Sequence, residues 1–132
     1  MAKATKKRPF DVKVFLNTVA SGRSVSKYRK GKKVFSQGDP GDAVFYVQEG
    51  RVKICVVSAH GKEAVVALHG NGDFFGESCL NGHPVRVATA VTLTECVIMR
   101  IEKAAIVRVL HDEPKFSEMF MAYLLSRNSR VE

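Results

Sequence analysis

The chain has 132 residues and a net charge of +8, with 45% hydrophobic and 26% charged residues, as expected of one folded soluble domain. No stretch approaches the roughly 18 consecutive apolar residues of a membrane-spanning helix. The basic N-terminus is not followed by an apolar signal core, so we expect a cytoplasmic protein without a secretory signal or a membrane partner.

The three cysteines, Cys55, Cys79 and Cys96, form no C-x-x-C pair. Their odd number gives no support to a disulfide framework and fits a reducing cytoplasm. A zinc or iron–sulfur site would need a cluster of ligands that the sequence does not contain. We therefore expect no metal.

The positive charge is concentrated at the front of the chain. Residues 1–33 carry a net +10 and the remaining residues a net −2. Residues 1–9 are predicted to be a disordered basic arm. Such an arm is most often a solvated tail, and the alternative is contact with nucleic acid or another acidic surface. It has no interleaved aromatic residues to stack on bases.

A short helix is predicted over 10–20, because its apolar residues recur at helical spacing and Ser21-Gly22 follows. Seven strand-like runs separated by turn residues come next: Val25–Tyr28, Lys33–Ser36, Val44–Gln48, Val52–Val57, Ala64–Leu68, Val85–Leu93 and Glu95–Ile101. Their spacing favours an antiparallel sandwich or barrel. Alternation in two runs predicts buried faces, which are Val52, Ile54, Val56 and Val85, Val87, Thr89, Val91.

Two helices are predicted at the end of the chain. The first covers Glu102–Leu110, and Asp112 is predicted to cap the second, with Pro114 in its first turn. The second helix carries one apolar stripe: Phe116, Met119, Phe120, Tyr123 and Leu124. This stripe either packs on its own domain or pairs with a partner helix.

Several motifs follow one another in a fixed order: Val34–Asp42 (VFSQGDPGD), Val44–Val47 (VFYV) with Gly50-Arg51-Val52, Gly72–Glu77 (GDFFGE) and Arg86–Thr89 (RVAT). In this order the chain, from about Tyr28 to Arg127, resembles a cyclic-nucleotide-binding domain. The resemblance is in particular to the sensor half of bacterial CRP/FNR-type transcription regulators. One Gly-Asp pair would be weak evidence, but a series over about 100 residues is specific.

The resemblance implies a mainly β fold, an antiparallel β jelly roll (a cupin-like double-stranded β-helix) with a flanking N-terminal helix and C-terminal helices, over 10–132. It implies a homodimer formed through the last helix, at about 113–130. A winged helix-turn-helix that binds DNA is expected downstream and is absent from this chain, so DNA would be a partner only through that missing domain. The implied role is allosteric control of a transcription regulator, not catalysis.

The family resemblance also implies a ligand site. Arg86 offers a planar fork of donors to the cyclic phosphate, and Glu77 an acceptor to the ribose 2′-hydroxyl. Gly76 lets the backbone approach the ligand, and Ala88 contributes its backbone N–H. The alternative is that Glu77 and Arg86 only pair with each other.

Three further residues belong to the predicted site, which binds cAMP or cGMP. Ser78 and Cys79 lie on the same short helix as Glu77. Val87 stands where many members of the family have Ser or Thr, which removes a hydroxyl that can touch the phosphate or guanine and so favours cAMP over cGMP.

Other functions stay open at this point. The same fold could respond to another effector or to none, or it could be a regulatory module of a kinase or channel. A cupin-type enzyme would need a His-x-His pair, which is absent, and the four histidines are predicted to be surface or satisfied residues.

Overall fold

The computed structural model describes residues 11–18 and 22–131, so the predicted arm 1–9 lies outside the described residues. The described elements, in chain order, are α1 (Val12–Thr18), β1 (Arg23–Tyr28), β2 (Lys33–Phe35), β3 (Ala43–Glu49), β4 (Val52–Val57), β5 (Glu63–His69), β6 (Phe74–Phe75), a 3₁₀ helix (Glu77–Asn81), β7 (Thr89–Thr92), β8 (Cys96–Glu102), α2 (Lys103–Asp112) and α3 (Pro114–Val131). None of the described helices is long and apolar enough to cross a membrane.

The eight strands form two antiparallel four-stranded sheets, with the orders β1-β8-β3-β6 and β2-β7-β4-β5. Neighbours in these orders are mostly distant in sequence, as a jelly roll requires. The predicted fold class, a mainly β antiparallel jelly roll with flanking helices, is confirmed.

The central strand β3 is buried on both faces and separates two clusters of core residues. Ala43, Phe45 and Val47 contribute to the cluster inside the sandwich. Val44 and Tyr46 contribute to the cluster that packs the helices on the first sheet. A strand that is covered on both faces has a continuous run of apolar residues, here A-V-F-Y-V.

The predicted buried face of the run 85–93 was wrong at Val85 and Val87, although Thr89 is buried as predicted. Val85 and Val87 are 46% and 53% exposed, whereas Arg86, Ala88 and Ala90 are buried. The arginine turns inward to protein carbonyl groups. The regular strand β7 begins only at Thr89, after an isolated bridge between Val85 and Pro40.

In β4 the predicted alternation holds only in part. Val52 is buried, but the register with β5 shifts between Ile54 and Cys55. Cys55 is therefore buried, while Ile54 and Val56 are only partly buried. An extra residue at a bulge moves the following side chains to the opposite face.

The two C-terminal helices form where they were predicted. Asp112 is the last residue of α2, so its predicted role as the cap of α3 was wrong, and Pro114 is the first residue of α3. The predicted stripe packs on its own domain: Phe116 and Phe120 are buried, and Met119, Tyr123 and Leu124 are partly buried. Elsewhere on α3, Met121 and Leu125 are 63% and 61% exposed.

The packing of α3 on the sandwich predicts a strong effect of Phe116→Ala. The Phe116 ring is fully buried, stacks on Phe15 at a centroid distance of 5.2 Å and meets Phe74 edge-on. We expect its truncation to lower the free energy of unfolding by about 3–5 kcal/mol in chemical denaturation. The control Val107→Ala removes an exposed side chain of α2 and should change it by less than about 0.5 kcal/mol. Equal losses would contradict the packing described.

Candidate functional site

A cavity of about 470 Å³ opens on the second sheet beside the 3₁₀ helix. Its walls differ in chemistry. Apolar side chains line much of it, among them Phe35, Ile54, Val66, Leu68 and Phe75. Polar and charged side chains also line it: Glu77, Ser78, Arg86 and Arg127. The volume is that of a pocket for a small organic ligand.

Arg86 is the buried cation of this cavity, with 3% of its surface exposed. Its Nη1 donates to the carbonyl of Gly76 at 2.7 Å and its Nη2 to the carbonyl of Ala43 at 2.5 Å. The guanidinium lies 4.2 Å from the centroid of the Phe35 ring and 5.6 Å from that of Phe45. The hydrogen bonds hold the edges of the planar guanidinium and the rings lie against its face, so these contacts fix its orientation.

The Arg86 charge has no anionic partner among the described residues, since no carboxylate there lies within 4.0 Å of its nitrogens. Its Nε is buried and has no hydrogen-bond partner. Burial lowers the pKa of Arg86, an effect that the neighbouring Cys79 and Asp42 partly offset. A buried, incompletely satisfied guanidinium is suited to an incoming anion.

Gly76 makes room for this arginine. It precedes the 3₁₀ helix and has φ +79°. Residues other than glycine rarely adopt this left-handed backbone conformation. A Cβ at this position would lie 3.0 Å from Arg86 Nη1, 3.2 Å from the Phe45 ring and 3.3 Å from the Phe35 ring. The backbone angle therefore favours glycine strongly, and a Cβ would also force the neighbouring side chains to shift.

Glu77 does not pair with Arg86, so the alternative of an ion pair between the two is not found. Its Oε2 instead pairs with Nη2 of Arg127, which projects from α3. The second oxygen of Glu77, Oε1, is buried and has no hydrogen-bond partner. Arg127 thus holds Oε2 of the carboxylate, and Oε1 can still accept a hydrogen bond.

Arg127 lines the cavity and was not among the residues predicted from the sequence. Its Nη1 donates to the Phe74 carbonyl at 2.8 Å and to the Tyr123 hydroxyl at 3.3 Å. Burial lowers its pKa, but Glu77 and Tyr123 outweigh this effect, so the pKa of Arg127 lies above its ordinary value. The available signal was its place in α3, since position 127 continues the apolar stripe of 116, 120, 123 and 124 at helical spacing.

Tyr123 ties α3 to the same place. Its hydroxyl accepts a hydrogen bond from the Phe74 backbone N–H at 3.0 Å and donates to the Phe74 carbonyl at 3.1 Å. Phe74 lies three residues before Glu77. Two side chains of α3 therefore hold the segment that carries the acidic residue of the cavity.

The structure brings six of the seven predicted site residues to the cavity: Gly76, Glu77, Ser78, Arg86, Val87 and Ala88. Cys79 is not among the lining residues; it is buried in the core between β3 and the helices. Its Sγ lies 3.5 Å from the Ala43 carbonyl, the same group that Arg86 contacts. Burial raises the pKa of this thiol.

One of the four histidines, His69, also lines the cavity. It is buried, its ring stacks on Phe75 at a centroid distance of 6.0 Å, and its Nδ1 lies 3.7 Å from Asp73. No group of three or more His, Cys, Asp or Glu side chains in the described parts of the chain is arranged to hold a metal ion.

Comparison with known proteins adds independent findings. Residues 25–113 match the family model of the cyclic nucleotide-binding domain. The chain is 30% identical over 104 residues to a CRP-like cAMP-activated global transcriptional regulator of Mycobacterium tuberculosis. The matched region covers 79% of this chain and 46% of that protein. It is 30% identical over 92 residues to a cAMP-dependent protein kinase regulatory subunit of Neurospora crassa, which covers 70% of this chain and 23% of that protein.

A solved structure is similar as well. The crystal structure of the Thermus thermophilus catabolite activator protein superposes with a TM-score of 0.74 and 29% identity, over 87% of this chain and 54% of that one. The chain thus spans less than half the length of the curated relatives it matches.

The close fit around Gly76 predicts that Gly76→Ala is more damaging than the same change at Gly82, at the other end of the 3₁₀ helix. Both glycines have a positive φ, but a Cβ at Gly82 would meet nothing within 4 Å. Gly76→Ala should therefore lower the free energy of unfolding by about 1–3 kcal/mol more than Gly82→Ala, measured by urea denaturation. If the two variants lose the same amount, the Arg86 environment does not require glycine.

Proposed function

Because the chain belongs to the family of cyclic nucleotide-binding domains, we propose that its cavity binds cAMP in preference to cGMP and that binding controls a transcription regulator. The observation that carries this proposal is Arg86, a buried guanidinium that lines the cavity and has no carboxylate partner in the described residues. The cyclic phosphate carries a single negative charge and would be the counterion that Arg86 lacks among the described residues.

The phosphate would be held by Arg86 and by the backbone near Gly76. The hydrogen bonds from Nη1 and Nη2 to Gly76 and Ala43 orient the guanidinium before the ligand arrives, so little side-chain entropy remains to be lost. The unpartnered Nε–H is a donor for a phosphate oxygen. The absence of a Cβ at Gly76 leaves room for the Arg86 guanidinium.

The ribose would be recognised by Glu77. Its buried, unpartnered Oε1 is an acceptor for the 2′-hydroxyl, while Arg127 keeps Oε2 in place. Hydrogen bonds to an ionised carboxylate are stronger than those between neutral groups. A ligand without this hydroxyl would leave the buried acceptor unsatisfied.

The base would lie against the apolar wall of Ile54, Val66, Leu68 and Phe75. Val87 also lines the cavity and supplies no hydroxyl for guanine or phosphate. This supports adenine over guanine as the base.

Binding would be transmitted through α3. Arg127 and Tyr123 connect this helix to Glu77 and Phe74, so a ligand that engages Glu77 alters the free energy of the helix position. The exposed Met121 and Leu125 on α3 support a homodimer through this helix. The intact protein would carry a DNA-binding winged helix-turn-helix, as the resemblance to CRP/FNR-type regulators implies. The CRP-like relative supports the same reading.

A second candidate is a regulatory module of a protein kinase. The relative from Neurospora crassa supports it at the same level of identity but over a smaller share of the chain. Both candidates share the ligand and differ in the domain that responds to it. The gene sequence that encodes the intact protein separates them.

The phosphate contact predicts the outcome of calorimetric titration with cAMP and cGMP. The wild-type chain should bind cAMP more tightly than cGMP, and Arg86→Ala should weaken cAMP binding about a hundredfold or more, because it removes charge-assisted hydrogen bonds. Arg86→Lys keeps the charge and loses the planar fork, and should also bind more weakly. Circular dichroism checks that each variant is folded.

The matched control is Arg100→Ala, which removes a half-exposed arginine paired with Asp42 outside the cavity. Its affinity for cAMP should equal that of the wild type. Unchanged binding by a folded Arg86→Ala variant would contradict the proposed site. Tighter binding of cGMP would contradict the assigned base.

The connection to α3 predicts a separate effect of Arg127→Gln. In the wild type, saturating cAMP should slow amide hydrogen exchange in α3. The variant should lose less affinity than Arg86→Ala, since Arg127 pairs with Glu77 and is not the residue assigned to the phosphate. The ligand-dependent protection of α3 should nevertheless be largely lost.

The control for this experiment is Arg108→Gln on the exposed face of α2, which should behave as the wild type. If α3 in Arg127→Gln is protected by cAMP as fully as in the wild type, Arg127 does not transmit binding.

A further inference from the structure

The end of β1, the start of β2 and the turn between them carry five exposed basic side chains within seven residues: Lys27, Arg29, Lys30, Lys32 and Lys33. We refer to residues 27–33 as the basic turn. None of the five forms an ion pair with an acidic residue within 11–18 and 22–131; the pairs found there use other basic residues. The charge of the basic turn is therefore available to a partner.

Thr92 holds the basic turn in one position. This residue is buried, and its hydroxyl donates to the Arg29 carbonyl at 2.7 Å and accepts from the Lys32 N–H at 2.8 Å. Its backbone carbonyl accepts from the Gly31 N–H at 2.8 Å, and its N–H donates to the Lys32 carbonyl at 2.9 Å. Four hydrogen bonds thus fix the backbone from which the charges project.

The basic turn is separate from the proposed ligand site. None of its residues lines the cavity. Thr92, which anchors the turn, ends β7 six positions after Arg86 and does not line the cavity either. A single small anion cannot occupy both places.

We propose that the basic turn binds the phosphate backbone of duplex DNA without reading its sequence. Contacts to phosphates need positioned cations and no base-specific groups. The side chains of the turn are all cationic except Tyr28, which is partly buried, and Gly31. It therefore lacks the exposed apolar anchors of a protein interface and the stacking rings of a single-strand site.

This inference goes beyond the cyclic-nucleotide site and does not depend on it. In an intact regulator, the contact would add affinity for DNA that flanks a specific site. It would be weak in isolation and strongly dependent on salt, because each neutralised phosphate releases bound counterions.

The test is fluorescence anisotropy with a labelled DNA duplex of mixed sequence, titrated with the full chain at salt concentrations between about 50 and 200 mM. The variant Lys30→Gln/Lys32→Gln/Lys33→Gln removes three charges from the basic turn. The matched control Lys62→Gln/Lys103→Gln/Lys115→Gln removes three exposed lysines elsewhere and has the same net charge. Thr92→Val keeps all charges but removes the hydroxyl that anchors the turn.

We expect the basic-turn variant to bind at least about tenfold more weakly than the control at the lowest salt, and its slope of log affinity against log salt to be smaller by up to about three. Thr92→Val, if folded by circular dichroism, should bind duplex more weakly than the wild type. Equal effects of the two triple variants would overturn the proposal, because net charge alone would then explain binding. Binding to anionic phosphatidylserine vesicles but not to duplex would overturn it as well.

Discussion

The arrangement of this protein depends on one buried guanidinium. Arg86 lies between the Phe35 and Phe45 rings and the carbonyl groups of Gly76 and Ala43, without a carboxylate to neutralise it among the described residues. A buried charge is costly unless it is paired and hydrogen-bonded. The surroundings satisfy two of its hydrogen bonds and leave its charge without a carboxylate among the described residues, which fits the proposed binding of an anion.

Several local features follow from that constraint. At position 76 the positive φ and the close approach of the arginine and two rings both favour glycine. The chain before β7 turns its arginine and small residues inward and its valines outward. The 3₁₀ helix then places Glu77 at the same end of the cavity, where α3 can reach it.

The sequence was sufficient for the jelly roll, the two C-terminal helices and six of the seven residues assigned to the cavity, because turn glycines and ordered motifs record them locally. It was insufficient where contacts between residues far apart in sequence determine the local structure. The inverted face around Arg86 depends on carbonyls of other elements, and the position of Cys55 depends on a bulge. β6 has only two residues, too few for a period, and the pairing of Arg127 with Glu77 joins positions 50 residues apart.

The central claim is that Arg86 receives the phosphate of a cyclic nucleotide. The most direct measurement is the ¹⁵N–¹H resonance of the Arg86 Nε–H, identified by its loss in Arg86→Lys, during a titration with cAMP. Because this group is buried and has no partner in the free protein, a new hydrogen bond to phosphate should move its proton resonance downfield and saturate together with the heat of binding. A resonance that stays unchanged when cAMP is bound would contradict the account.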